Sequence, residues 1–94
     1  MVTYPVRVSR KSYRGSKETI RRKTNEHNRI ARELEEYINQ RIKEQEEETR
    51  VYYYYEIASE TGYSKELVRE ILFSVDCGHH GFTARKTTDI DNLE

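Results

Sequence analysis

The 94-residue chain has no tryptophan, one cysteine, one proline and only four glycines. A lone cysteine, Cys77, excludes an internal disulfide framework. With Pro5 and Gly15 both early, residues 17–48 contain no helix breaker. No apolar run exceeds a few positions, so neither a membrane-spanning helix nor a signal peptide is expected, and the expected location is cytoplasmic. Apolar residues are themselves scarce: 34% of the chain against 36% charged, with eight tyrosines inside the apolar share and a mean hydropathy of −1.06. That composition allows one domain with a thin core, of the kind that often needs a partner or a second copy. There is also no glycine-rich phosphate loop, no acid–base pair suited to a pocket, and too little core to enclose a dry cleft. Neither catalysis nor a cofactor is expected.

What is abundant is charge, and it is unevenly placed. The formal net charge is zero, yet residues 1–32 carry ten Lys or Arg against two Glu, a local +8. Residues 33–50 come to −4, with seven Glu against three basic residues. A basic front half suggests a polyanion partner, and the acidic remainder equally allows head-to-tail association of copies.

Taken in order, residues 1–16 show no periodicity and spread Arg7, Arg10, Lys11 and Arg14 among Ser and Tyr. They read as a disordered basic arm, suited to lying along phosphates or to solubilising the terminus. Residues 17–48 read as one long amphipathic helix, with Ile20, Ile30, Ala31, Leu34, Tyr37, Ile38 and Ile42 on a single stripe. The Ile38–Ile42 end can pack on the rest of the chain. The Ile20–Leu34 part has no evident cover, so pairing with a second copy through this helix is expected. Glu46, Glu47 and Glu48 carry the wrong charge for a helix C-terminus, and fraying is expected there.

Val51–Tyr53 favours a short strand, with helix from about Tyr54 to Thr61. Most of the tyrosine run is expected to supply packing surface rather than to stack bases. Next comes the most informative stretch, Ile57 to Leu72, reading IASETGYSKELVREIL. Ala58 is small enough for two helices to cross closely, and Gly62 can take the left-handed conformation that ends the first. Ser64 can cap the second helix, and Leu67, Val68, Ile71 and Leu72 give it a buried face. Past it, Gly78 and Gly81 bracket a polar loop, so strands near Val75–Cys77 and Phe82–Arg85 are expected to form a hairpin over 75–86. Residues 87–94 read as a disordered acidic tail. Cys77, His79 and His80 are zinc-ligand types, but their spacing is too tight to close a tetrahedral site, and no metal is expected.

The Ala58–Gly62–Val68–Ile71 spacing resembles the bacterial and phage helix-turn-helix family of DNA-binding proteins, over roughly a fifth of the chain. With the hairpin, it resembles the winged form. The resemblance implies a mainly α fold: a long N-terminal helix and a helix-turn-helix (motif 54–75) in a single domain over 17–86, with a small β-hairpin wing. It implies a sequence-specific transcriptional regulator binding duplex DNA as a homodimer. Ser64, Lys65, Glu66, Arg69, Glu70 and Phe73 would then face the bases. Arg7, Arg10, Lys11, Arg14, Arg21, Arg22, Lys23, Arg85 and Lys86 would hold phosphates. The competing expectation, drawn from the nearly neutral surface of the second motif helix, is a protein-interaction module that binds a host, replication or transcription protein.

Overall fold

A computed structural model describes residues 2–73, 75 and 78–86. The elements run β1 (Val2–Thr3), α1 (Glu18–Glu44), β2 (Thr49–Tyr53), α2 (Tyr54–Thr61), α3 (Lys65–Leu72) and β3 (Gly81–Arg85). Three helices and a small three-stranded sheet share one core.

The unbroken run of helix formers makes α1, which at 1.5 Å per residue spans about 40 Å. Its Lys17 N-cap has no side-chain bond, and it stops at Glu44, short of the acidic triplet, where Gln45 turns extended. Gln45 is the only buried polar residue among those described, and its groups are all engaged. Its Oε1 accepts from the Tyr52 hydroxyl at 2.5 Å, and its Nε2 donates to the Glu47 and Glu48 carbonyls at 2.8 and 3.3 Å. Its own carbonyl accepts from Lys86 Nζ at 2.6 Å. This knot fixes the angle at which the chain leaves α1 for β2.

The tyrosine run alternates by burial. Tyr52 and Tyr54 are in the core, while Tyr53 and Tyr55 are exposed and stack on each other with centroids 5.5 Å apart. Period-two strand geometry through Tyr53 produces the alternation, and α2 begins at Tyr54 as the sequence predicts.

The strand order is β1-β3-β2. β2 runs antiparallel to β3 with Val51 opposite Thr83, and β1 runs parallel to it with Val2 opposite Ala84. The expected hairpin is not established among the described residues. Phe82 and Ala84 do lie in a strand, but at Ala84 and Arg85 its two edges are taken by β2 and β1, both distant in sequence. Val75 sits in a turn, its N–H donating to the Leu72 carbonyl at 2.9 Å, and Cys77 lies outside the described residues, as does the expected tail 87–94.

The expected free arm is corrected. Residues 4–11 run along α1 as a strap, antiparallel to it, with Val6 and Val8 buried in the core. Alternation of Val6 and Val8 with Arg7 and Ser9 makes one edge apolar, and three polar side chains of α1 hold the backbone. Asn39 bonds Val6 in both directions, at 2.7 and 2.9 Å. Glu35 accepts from the Val8 N–H at 2.8 Å, and Asn28 bonds Lys11 in both directions at 2.8 Å.

The strap removes the premise for pairing through α1. Ile30, Ala31 and Leu34, expected to lack cover, are buried by the chain itself. Among the stripe residues only Ile20 remains a large exposed apolar side chain, 41% accessible. No helix of the described residues is long and apolar enough to cross a membrane.

Candidate nucleic-acid interface

The turn between α2 and α3 sets where α3 points. Gly62 adopts φ 86°, ψ −1° and its N–H bonds the Ala58 carbonyl at 2.9 Å, which closes α2. Ser64 Oγ accepts from the Leu67 N–H at 3.2 Å and opens α3. Its oxygen is therefore committed to the cap, which weakens its expected part in reading bases. Tyr63 ties the turn to α1: its hydroxyl donates to Glu33 Oε1 at 2.5 Å, and this bond holds the phenol pKa above its ordinary value. Arg29 bridges Glu26 and Glu33 beneath it.

Val68, Ile71 and Leu72 then face the core, leaving Lys65, Glu66, Arg69, Glu70 and Phe73 exposed along one shallow depression. Within the described residues, none of the four charged side chains on that face forms an ion pair or hydrogen bond, whereas Arg22, Arg29, Arg32 and Arg50 are all ion-paired. The face offers both donors and acceptors with their valences unspent.

The expected phosphate contacts divide into two groups. Lys11, with Ser9 and Arg10, lines a hollow against His27, Glu70 and Ile71. Arg22 and Lys23 line another with His27, Ile30 and Leu67. These basic residues therefore flank α3. Arg10 is partly spent, donating to the Val8 carbonyl at 2.7 Å and lying 3.5 Å from Glu35. Arg22 pairs with Glu18 at 2.9 Å in full solvent, a bond that phosphate can replace at little cost. Arg7, Arg14, Arg21 and Lys23 are exposed.

Arg85 and Lys86 are not brought to this face as a wing would bring them. Arg85 lies 3.7 Å from Glu48, and Lys86 bonds the Gln45 carbonyl at the exit of α1. Between Lys23 and Gln45 the helix advances roughly 33 Å.

Four contributors escaped the sequence. His27 sits beside α3 near Lys11 and Glu70. Burial and the Lys11 charge depress its pKa, partly offset by Glu70. Asn28, Glu35 and Asn39 hold the strap. Their spacing of seven and four places them on one helical face, a regularity visible in the sequence but without meaning until the strap supplies the partner. His79 and His80 are exposed in the turn before β3, and no group of three metal-ligand side chains is assembled among the described residues.

Comparison with known proteins returns no matching family, no matching curated protein and no matching solved structure.

Proposed function

We propose that the chain is a sequence-specific DNA-binding transcriptional regulator, with α2 and α3 acting as a helix-turn-helix and α3 entering the major groove. The observation that carries this reading is the unpaired, mixed-charge outer face of α3 with Lys11, Arg22 and Lys23 gathered beside it. Uncommitted donors and acceptors on a helix suit base edges, and flanking cations suit the phosphates on either side of a groove. The short helix alone is electrically neutral, so the basic flank supplies the sequence-independent affinity. Two copies on DNA would present two α3 helices to half-sites about one helical turn apart.

The test is fluorescence anisotropy with random-sequence duplex at about 50 and about 200 mM salt. Micromolar or tighter binding that collapses at the higher salt is expected. No binding at the lower salt sinks the proposal.

A protein-interaction role has its own supporting observation: Val51, Tyr53 and Tyr55 are exposed together at the sheet edge and the start of α2. On that reading Tyr55→Ser abolishes partner binding while Arg69→Ala does not, and the DNA reading requires the reverse.

A further inference from the structure

The exposed face of α3 has an order that bears on which bases it would take. Successive residues turn by about 100° around a helix. With Val68, Ile71 and Leu72 inward, the direction opposite the core falls between Glu66 and Glu70, with Phe73 beside Glu66 and Arg69 further round on that side. An acid, not a base, therefore stands at the centre of the face. A carboxylate brought among phosphates is repelled unless it finds a donor on a base edge, so Glu66 limits which sequences can be bound at all.

Resting on the DNA reading above, we propose that α3 selects G·C pairs, with Glu66 accepting from a cytosine amino group and Arg69 gripping a guanine of the neighbouring base pair. In the major groove cytosine offers only its N4 donor, whereas adenine sets an N7 acceptor beside its N6 donor. Thymine and guanine face Glu66 with acceptors alone. A carboxylate is therefore satisfied by cytosine and opposed by the other three bases.

Arg69 has the complementary demand. Its fork of donors matches the paired O6 and N7 acceptors of guanine. Three residues separate it from Glu66, a rise of about 4.5 Å against about 3.4 Å per base-pair step, so both can reach one short step of DNA. Neither side chain has another partner among the described residues, so nothing in the fold must be broken for them to engage.

The experiment is selection from a random-sequence duplex library by the full chain, its Glu66→Gln variant and its Arg69→Ala variant. The unaltered chain should enrich two neighbouring G·C pairs, a cytosine fixed at one position and a guanine at the next. Glu66→Gln should lose the cytosine preference, gain adenine, and bind unselected duplex more tightly, because an amide can bond the adenine edge in both directions and no longer repels phosphate. Arg69→Ala should lose guanine while keeping cytosine, with roughly 5- to 150-fold less discrimination at that position. Selection of an A·T-only site, or a Glu66→Gln variant with unchanged base preference, overturns the proposal and leaves DNA binding standing. Failure to retain any duplex at low salt overturns the DNA reading itself.

Discussion

Asn28 and Lys11 hold each other in both directions: the Lys11 N–H donates to Asn28 Oδ1 and Asn28 Nδ2 donates to the Lys11 carbonyl, each at 2.8 Å. The amide of Asn28 thus does for the strap what a neighbouring strand would do, and Asn39 repeats it at Val6. Between them Glu35 takes the Val8 N–H. The result is an extended segment paired to a helix face, which delivers Lys11 to the side of α3 and covers Ile30 to Leu34.

Replacing Asn28 by Ala should therefore loosen the strap locally. Its bonds are exposed, so the global cost should be near 1 kcal/mol. Hydrogen exchange at Lys11 should accelerate while Val6, held by Asn39 and by burial, stays protected. Val8→Ala is the contrasting change, costing about 1–2 kcal/mol of global stability through lost burial. Unchanged exchange at Lys11 in the Asn28 variant would show that apolar packing alone holds the strap.

The strap also marks where sequence reading stops. Elements governed by local chemistry were legible: α1 from its lack of breakers, the start of α2 at Tyr54, the Gly62 turn and the Ser64 cap. Pairings between distant segments were not. Nothing local to Val2–Thr3 announces a strand, because β3, its strand partner among the described residues, lies some eighty residues away. The basic residues of the strap read as a free arm because charge dominates composition there, while the burial of Val6 and Val8 depends on a surface assembled from α1. On the candidate site, the exposed positions of α3 follow from helical periodicity. The placement of Arg85 and Lys86 against Glu48 and Gln45 follows from sheet order, which sets β3 between β2 and β1 and has no local signal in the sequence.

Gly62 is a position where conformation alone decides the outcome. Its φ is 86°, and a Cβ built there would meet nothing within 4 Å. Gly62→Ala should thus cost about 1–2 kcal/mol through backbone strain, with Gly62→Asn less damaging because asparagine enters the left-handed region more readily. Urea denaturation of the two variants gives the comparison. Equal stability of the alanine variant and the unaltered chain would mean that the turn relaxes to a different conformation.

Gln45 and Tyr52 make a sharper test, because their bond is buried where both could be replaced by apolar groups. Gln45→Leu should cost about 1–3 kcal/mol, since the Tyr52 hydroxyl is left without an acceptor. Tyr52→Phe alone should cost near 1 kcal/mol, its ring keeping the 5.8 Å stack on Phe82. The double variant should be less destabilised than the sum of the two, and strict additivity in a double-mutant cycle would mean that the bond contributes nothing.

His27 connects stability to the interface through pH. Burial and Lys11 lower its pKa below the ordinary value of about 6.5. In acid the unfolded chain therefore takes up a proton at this position that the folded chain resists, so the fold loses stability as pH falls through about 6.5 and stops losing it below the depressed folded value. Most carboxylates titrate lower, so unfolding by urea between about pH 7.5 and about pH 5.5 isolates the effect, and His27→Gln should flatten that slope. On the DNA-binding proposal, affinity for duplex should move in the opposite direction. A proton on His27 adds a cation beside Glu70 and Lys11 on the flank of α3, where a phosphate would favour it, so affinity for duplex should rise over the same interval. The Gln variant should lose both dependences together. If it loses the stability slope and keeps the binding slope, then His27 belongs to the fold and not to the interface, and the DNA-facing side of the molecule lies elsewhere than the α1–α3 flank.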